Sequence, residues 1–227
     1  SYLMERMKEA GIRPQGQHGQ NFLIDLNLLD LLVRTADVGP KDVVLEIGTG
    51  MGSLTARMAQ LAAEVVTVEI DPRLSALAAE ELSGANNVTM LQQDALKNKN
   101  TIHPAVLEAV ESRLEAHSGS RFKLVANLPY NVATPVLSNL LTCDPAPISL
   151  TATIQKELAD RIAAKPGTKD YSALSIWMHA LWTMEIVREI PPQVFWPRPK
   201  VHSAIIHILP NPQKRKALGD LAFFHAF

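Results

Sequence analysis

The fold is decided by the stretch Val43-Val44-Leu45-Glu46-Ile47-Gly48-Thr49-Gly50-Met51-Gly52. Its first five residues are mostly apolar, which is typical of a buried strand, and its three glycines favour a tight turn. The pattern that follows predicts a helix over residues 53–62. A strand, a glycine turn and a helix in this order are typical of the first unit of a doubly wound α/β fold, whose ligand lies at the carboxyl ends of the strands.

Strand-like apolar runs and helical patterns alternate along most of the chain, which predicts an α/β fold with a mostly parallel seven-stranded sheet and helices on both faces. The last two strands flank a proline-rich segment and are expected to pair at one edge. The predicted strands cover residues 43–47, 65–69, 88–91, 122–126, 148–154, 183–190 and 203–208. The predicted helices cover residues 26–35, 53–62 and 134–141, a segment that opens at Pro72, part of the connection 97–120, and residues after Pro210.

Length and composition fit an ordinary globular protein with one full domain and an appendage. The chain has 227 residues, of which 47% are hydrophobic and 20% charged, and its net charge is −1. No apolar run approaches the roughly 20 residues that span a membrane, and the first residues lack the apolar core of a secretory signal. We therefore expect a soluble, cytoplasmic protein. Because Cys143 is the only cysteine and the seven histidines are scattered, we predict no disulfide and no metal site.

Acidic residues follow the glycine turn at the ends of the next two predicted strands. Glu69 ends the second strand, where a carboxylate accepts the hydroxyl protons of a ribose, and Asp94 follows the third, where it can accept from an adenine amino group. Each acid alone is also explained by a helix cap or a surface charge, but their order favours a nucleoside site. Glu46 is expected to orient the glycine turn or to reach the ligand's amino group through water, because a buried carboxylate needs a partner.

The tetrapeptide Asn127-Leu128-Pro129-Tyr130 ends the fourth predicted strand and suits methyl transfer to the exocyclic amine of a base. The lone pair of such an amine is delocalised into the ring. The Asn127 side-chain oxygen and a backbone carbonyl near Pro129 are expected to accept its N–H groups and free the lone pair for attack on a sulfonium methyl. Tyr130 offers a flat face for a base that a folded RNA must extrude. Taken alone, these four residues also fit an ordinary strand-to-helix turn.

Five ordered motifs of the chain resemble those of the small-subunit rRNA adenine dimethyltransferases of the KsgA type. They lie at residues 19–23, 44–50, 127–130, within 155–175, and at 195–204. The resemblance implies a Rossmann-like class I methyltransferase fold with S-adenosylmethionine as cofactor. It implies that Asn127 and Tyr130 hold the target adenine and that Phe195 stacks on its other face. The catalytic set that it implies is Asn127, Leu128, Pro129, Tyr130 and Phe195. The cofactor-binding residues that it implies are Gln20, Asn21, Leu23, Glu46, Gly48, Gly50, Glu69, Ile70, Asp94, Ala95 and Asn127.

The same resemblance implies a substrate and a domain division. The substrate is a pair of adjacent adenosines near the 3′ end of 16S rRNA, each methylated twice, and the partner is an immature small ribosomal subunit bound by a monomer. The expected phosphate contacts are Lys156, Arg161, Arg198 and Lys200. Residues 1–210 are expected to form the catalytic domain, with 1–40 as an N-terminal helical segment over the cofactor. Residues 211–227 are expected to begin a helical C-terminal domain that the chain contains only in part.

Three other interpretations stay open at this point. The large-subunit methyltransferases that confer macrolide resistance share the architecture but usually carry a different residue at the position of Leu128. A non-catalytic RNA-binding assembly factor or transcription factor on the same fold is disfavoured by the intact set of Glu69, Asp94, Asn127 and Tyr130. A nicotinamide oxidoreductase is disfavoured because the spacing is Gly-x-Gly-x-Gly, whereas a dinucleotide fingerprint has Gly-x-Gly-x-x-Gly.

Overall fold

The computed structural model describes residues 5–7, 11 and 20–217. Within these residues, seven strands form one sheet and two short strand pairs lie outside it. The strands are β1 (Phe22–Leu23), β2 (Asp42–Ile47), β3 (Glu64–Glu69), β4 (Val88–Gln92), β5 (Leu96–Asn98), β6 (Thr101–Ile102), β7 (Arg121–Asn127), β8 (Ser149–Gln155), β9 (Trp182–Ile190), β10 (Phe195–Trp196) and β11 (Ser203–Pro210). The order in the large sheet is β4-β3-β2-β7-β8-β11-β9.

The large sheet is mostly parallel, as predicted. Strands β4, β3, β2, β7 and β8 run parallel to their neighbours, while β11 is antiparallel to both β8 and β9. The last two strands therefore form the predicted antiparallel pair, and the final strand lies between β8 and the edge strand β9. Outside this sheet, β1 pairs with β10 and β5 pairs with β6, and neither pair was predicted.

Eight α-helices lie within residues 20–217. They are α1 (Leu26–Thr35), α2 (Ser53–Ala59), α3 (Pro72–Glu81), α4 (Pro104–Ala116), α5 (Ala133–Leu140), α6 (Lys156–Ala163), α7 (Ala173–Leu181) and α8 (Pro212–Ala217). The helix predicted over residues 53–62 ends earlier, at Ala59, because the chain tightens into a turn in which Leu61 and Ala62 both donate to the Met58 oxygen. Helices α6 and α7 have no predicted counterpart. No helix within the described ranges is long and apolar enough to cross a membrane.

The long connection between β4 and β7 is a crossover of the sheet. Because β4 is an edge strand and β7 lies beyond β3 and β2, the chain must pass over two strands before it can pair again. Helix α4 makes this crossing and buries Val106 and Val110 against the sheet. The helix predicted within residues 97–120 is confirmed, and its place in the topology explains the length of the segment.

Alternating strand residues pack into two apolar layers, one on each face of the sheet. Leu45 and Leu124 belong to the layer that α4 and α5 cover, and Val44 and Val125 belong to the layer that α1 and α2 cover. All four side chains are fully buried. This packing holds the carboxyl ends of the parallel strands in fixed positions.

A buried lysine fastens α1 to the sheet below the site. Lys123 Nζ donates to the backbone oxygens of Ala36 and Asp37 at 2.9 and 2.6 Å and pairs with Asp42 at 2.9 Å. At the other end of the helix, Asp25 accepts from the N–H groups of its first turn. Both ends of α1 are therefore capped.

The predicted domain boundary near residue 210 falls between β11 and α8. Residues 1–4, 8–10, 12–19 and 218–227 of the two predicted terminal segments lie outside the described residues. The division into a catalytic domain and a helical C-terminal domain stays a prediction.

Candidate active site

A cavity of about 310 Å³ lies at the carboxyl ends of β2, β3, β4 and β7. This volume lies within the range of small-molecule sites in proteins. From the N-terminal segment and the glycine turn, its lining includes Gln20, Asn21, Gly48 and Gly50. From the other strand ends, its lining includes Glu69, Ile70, Asp94, Ala95, Asn127 and Pro129. The structure thus brings most of the predicted site residues together around one space.

Glu69 holds the glycine turn directly. The Gly50 N–H donates to Glu69 Oε2 at 2.8 Å, and the Asp71 N–H donates to Oε1 at 3.0 Å. Gly48 and Gly50 have positive φ angles of 89° and 57°, which glycine adopts without strain. Burial raises the pKa of Glu69, because its side chain is only 5% exposed. The carboxylate therefore reaches the cavity from a fixed position, as the predicted ribose contact requires.

Glu46 lies beneath the same turn and is connected to it through threonines. Thr55 and Thr67 both donate hydroxyl hydrogen bonds to Glu46 Oε2, and the Thr67 hydroxyl lies 2.6 Å from that of Thr49. Burial raises the pKa of Glu46 to about 8. Of the two roles expected from the sequence, this network supports the first, in which Glu46 orients the turn.

At the end of the cavity beside β4, the lining combines a carboxylate that can accept further hydrogen bonds with apolar side chains. Asp94 is exposed and accepts one hydrogen bond from the Leu96 N–H at 2.9 Å, which leaves oxygen capacity toward the cavity. Ile70 is 43% exposed beside it, and Ala95 is buried. A planar base with an amino group fits this combination, because its faces are apolar and its edge donates hydrogen bonds.

Asn127 ends β7 at the opposite side of the cavity. Its Nδ2 donates to the backbone oxygen of Asn21 at 2.9 Å. Pro129 packs against the glycine turn, since a Cβ added at Gly48 would lie 3.2 Å from Pro129 Cδ. The tetrapeptide 127–130 therefore faces the glycine turn across the cavity.

Two residues of the tetrapeptide lie outside the cavity lining. Leu128 is 1% exposed and belongs to the apolar core, so its side chain anchors the motif instead of contacting a ligand. Tyr130 is half-buried, and its hydroxyl lies 2.6 Å from Ser203 Oγ. Burial raises the pKa of Tyr130. In this conformation Tyr130 is anchored to the start of β11.

The predicted stacking role of Phe195 stays a prediction, because in this structure its ring is buried in the core. Its side chain is 2% exposed and packs in the core layer with Leu23 and Ile205. Phe195 pairs with Leu23 between β10 and β1, and side chains alternate along a strand. The next residue, Trp196, therefore faces the other way, and its ring stacks on Phe22 with centroids 6.5 Å apart.

A second cavity of about 50 Å³ adjoins the first behind the glycine turn. Leu23 and Glu46, which were predicted as cofactor-binding residues, line this cavity and not the first. The aromatic residues Phe22 and Trp196 also line it, and no individual role was predicted for either. Phe22 and Trp196 are the sequence neighbours of Leu23 and Phe195, in the two short segments that pair as β1 and β10. This adjacency was the signal in the sequence that could have identified them.

No group of three or more histidine, cysteine, aspartate or glutamate side chains in the described part of the chain is arranged to hold a metal ion.

A model of the family described as ribosomal RNA adenine dimethylase matches residues 13–227. The chain belongs to this family. Membership confirms the predicted enzyme class and fold, and it confirms S-adenosylmethionine as the cofactor of a dimethylase of this kind. The cavity agrees, since Glu69 and Asp94 offer acceptors for a nucleoside and the glycine turn leaves room behind it.

Curated relatives of this dimethylase carry a more specific name. The chain is 38% identical to the ribosomal RNA small subunit methyltransferase A of Moorella thermoacetica, over 96% of this chain and 74% of that protein. It is 42% identical to the protein of the same name from Bacillus cytotoxicus, over 91% of this chain and 68% of that protein.

Two solved structures of similar enzymes share the fold. A dimethyladenosine transferase from Plasmodium falciparum matches with a TM-score of 0.73 and 28% identity, over 86% of this chain and 65% of that chain. The 23S rRNA methyltransferase ErmE matches with a TM-score of 0.69 and 29% identity, over 85% of this chain and 70% of that chain. The fold alone therefore does not separate small-subunit from large-subunit substrates.

Proposed function

We propose that this dimethylase transfers methyl groups from S-adenosylmethionine to the exocyclic amines of two adjacent adenosines near the 3′ end of 16S rRNA, within an immature small ribosomal subunit. The names of its curated relatives support the small-subunit substrate. We place the activity in the cytoplasm, where bacterial subunits are assembled. We also propose that it acts as a monomer.

The observation that carries this proposal is the packing of the tetrapeptide 127–130 against the glycine turn. Asn127, Pro129 and Gly48 line one cavity, and Pro129 Cδ lies 3.2 Å from where a Cβ at Gly48 would stand. A methyl donor held by the turn and a base held by the tetrapeptide are thereby brought within reach of each other. Such alignment supplies a large part of the rate acceleration in a bimolecular transfer.

The chemistry required of the protein is modest. Bound S-adenosylmethionine supplies a methyl group that is activated by a positively charged sulfur. The Asn127 Oδ1 accepts an N–H of the target amine, which draws the nitrogen toward tetrahedral geometry and localises its lone pair. Residues Asn131 and Val132 extend the cavity wall beyond Pro129 and limit where the base can lie. The N–CH₃ bond forms as the S–CH₃ bond breaks, and the methylated nitrogen then loses one proton to solvent, so no step needs a metal ion or a charged general base.

The cationic residues around the site differ in their freedom to contact phosphate. Lys156 is already paired with Asp160 at 2.7 Å and with Glu189 at 3.3 Å, and both acids raise its pKa. Arg198 and Lys200 are exposed in the segment that joins β10 to β11, close in sequence to the site. We therefore propose Arg198 and Lys200 ahead of Lys156 as contacts to rRNA phosphates.

The direct test is incubation of the protein with unmodified 30S subunits and methyl-labelled cofactor, followed by mapping of the labelled nucleotides. We expect label on two adjacent adenosines near the 3′ end of 16S rRNA. Label that appears only with 50S subunits would favour the macrolide-resistance type of activity. A failure to bind S-adenosylmethionine in calorimetry would favour a non-catalytic assembly or transcription factor.

The variant Asn127→Ala tests the role of the tetrapeptide in the same assay. We expect it to abolish transfer while most of the cofactor affinity remains, because Asn127 is one of many lining residues. The matched control is Asn86→Ala, an exposed asparagine outside the cavity. Wild-type turnover in Asn127→Ala would defeat the proposed role.

A further inference from the structure

The β5–β6 hairpin lies at the edge of the first cavity and has no part in the chemistry described above. It begins directly after Ala95, which lines that cavity, and the His103 N–H closes its base by donating to the Ala95 oxygen at 2.9 Å. Residues 97–101 are all exposed, and they include Lys97 and Lys99. The hairpin therefore presents two lysines to solvent beside the site.

Two contacts hold the hairpin in a fixed position. Ile102 is 3% exposed and packs in the apolar layer that α4 and α5 cover. On α5, Asn139 donates its Nδ2 to the Lys99 backbone oxygen at 3.1 Å. Because α5 begins shortly after the tetrapeptide 127–130, these contacts give the hairpin a defined position relative to the residues proposed to hold the target base.

The charged side chains of the hairpin are all positive. Residues 95–107 contain two lysines and no acid, and residues 124–143 contain no charged residue. None of the ion pairs among the described residues involves Lys97 or Lys99. Asp94 is the nearest acid along the chain, and in the proposed function the base of the cofactor lies against it. This part of the surface therefore attracts anions, although the whole chain has a net charge of −1.

The hairpin and the segment that carries Arg198 and Lys200 reach the cavity from opposite faces of the sheet. Ile102 of the hairpin belongs to the layer that α4 and α5 cover, whereas Phe195 of β10 belongs to the layer that α1 and α2 cover. The first cavity, which Asn127 lines, lies at the sheet edge between these two faces. A nucleotide that enters it has cations on both sides for the phosphates of its own strand.

We propose that the β5–β6 hairpin binds the phosphate backbone of the substrate RNA through Lys97 and Lys99, on the opposite side of the extruded adenosine from Arg198 and Lys200. This inference rests on the proposed function, because it requires an RNA strand to enter the first cavity. Lysine contacts to phosphates give affinity and position but read no sequence. The hairpin thus holds the RNA and takes no part in the methyl transfer at Asn127.

The salt dependence of binding measures such contacts. Each lysine that neutralises a phosphate releases condensed counterions, so the logarithm of the affinity falls with the logarithm of the salt concentration in proportion to the number of contacts. Loss of both Lys97 and Lys99 should lower the size of this slope by between about one and two.

The test is the affinity of the full chain for unmodified 30S subunits, with saturating S-adenosylhomocysteine, at a series of KCl concentrations. In the double variant Lys97→Gln/Lys99→Gln we expect the affinity to fall about ten-fold, because each charge pair at contact distance is worth a few-fold in water. We also expect the shallower salt slope. Affinity for S-adenosylhomocysteine without subunits should be unchanged, since neither lysine lines the first or the second cavity.

The matched control is the double variant Arg34→Gln/Lys41→Gln, which removes the same net charge. Arg34 lies in the last turn of α1 and Lys41 directly precedes β2, so both are at the end of the sheet away from the cavities. Both residues are exposed. We expect this control to bind 30S subunits with the affinity and the salt slope of the wild type.

The possible results separate the two proposals. If the wild type transfers no methyl group to 30S subunits, the proposed function fails and this inference fails with it. If transfer occurs but the hairpin variant keeps the affinity and salt slope of the wild type, this inference alone is overturned. It is also overturned if the control variant loses as much affinity, or if the hairpin variant loses S-adenosylhomocysteine binding to the same extent. The two lysines would then act through the overall charge or through the cofactor site.

Discussion

The side-chain nitrogen of Asn127 donates a hydrogen bond to the backbone oxygen of Asn21 at 2.9 Å. This contact joins the end of β7 to a segment that precedes it by 106 residues. It also fixes which end of the amide faces the cavity, because the nitrogen is occupied and the oxygen remains to accept. The N-terminal segment therefore lines the first cavity and orients the amide of Asn127 at the same time.

The variant Asn127→Asp tests this orientation. Aspartate has the same shape but puts an oxygen where the Asn21 carbonyl needs a donor, so the side chain is expected to rotate away or to raise its pKa. We expect turnover on 30S subunits to fall about 100-fold, in the range found when one preorganised contact is removed from a transition state. Single-turnover transfer measures the effect. An unchanged rate would show that the amide donor is dispensable.

The hydroxyl contact between Tyr130 and Ser203 is expected to act as a positioning contact. The two oxygens lie 2.6 Å apart and join the tetrapeptide to β11. We expect Tyr130→Phe and Ser203→Ala each to cost about 1 kcal/mol in the free energy of unfolding, the usual net value of one hydrogen bond. Because both variants remove the same bond, the double variant should cost clearly less than the sum of the two singles. Additive losses in urea unfolding would mean that the bond contributes nothing.

Gly48→Ala is expected to damage the turn on which both halves of the site depend. Gly48 has a φ of 89°, and an added Cβ would lie 3.2 Å from Pro129 Cδ. We expect a loss of about 1–2 kcal/mol from backbone strain and weaker binding of S-adenosylhomocysteine. The control is Gly84→Ala, whose Cβ would meet nothing within 4 Å. Equal melting temperatures and equal affinities for the two variants would contradict this expectation.

The buried pair of Lys123 and Asp42 is expected to govern stability without affecting the chemistry. Asp42 is 0% exposed and Lys123 3% exposed, and both lie at the end of the sheet away from the cavities. We expect Lys123→Met to lower the free energy of unfolding by about 3 kcal/mol, because it leaves a buried carboxylate with fewer partners. The control Lys156→Met removes a half-exposed pair and should cost at most about 1 kcal/mol. Cofactor affinity should be unchanged in both variants at temperatures where they are folded.

The raised pKa of Glu46 is expected to make folding stability fall with rising pH. The folded protein holds this proton up to about pH 8, whereas the ordinary value is 4.5, so the folded form binds it more tightly than the unfolded chain. The contribution is complete below about pH 4.5 and is lost as pH rises to about 8, at up to about 1.4 kcal/mol per unit. The variant Glu46→Gln has no such proton and therefore lacks this contribution to stability. Between pH 5 and pH 8, the free energy of unfolding in urea should fall less in the variant than in the wild type. Parallel pH profiles of the two proteins would contradict the linkage.

Local patterns in the sequence were enough to predict the sheet and the edge of the sheet at which the strand ends form a ligand site. Apolar runs mark the strands, and polar residues such as Glu69 and Asp94 at their ends mark the edge where a ligand lies. These signals are short in range, because strand periodicity and turn chemistry depend on neighbours in the chain. The same logic could not give the direction of the Phe195 side chain, because that depends on how a two-residue strand pairs with β1.

The sequence by itself determined which chemical groups the protein has, the order in which they meet the sheet edge, and hence the class of reaction. The tertiary structure decided how those groups are oriented. Asn21 orients Asn127, Ser203 holds Tyr130, and the threonines on β3 and α2 hold Glu46 beside a small apolar cavity. These relationships join residues that are distant in the chain, and local propensity carries no information about them. They arise only when packing of the whole sheet fixes each side chain in place.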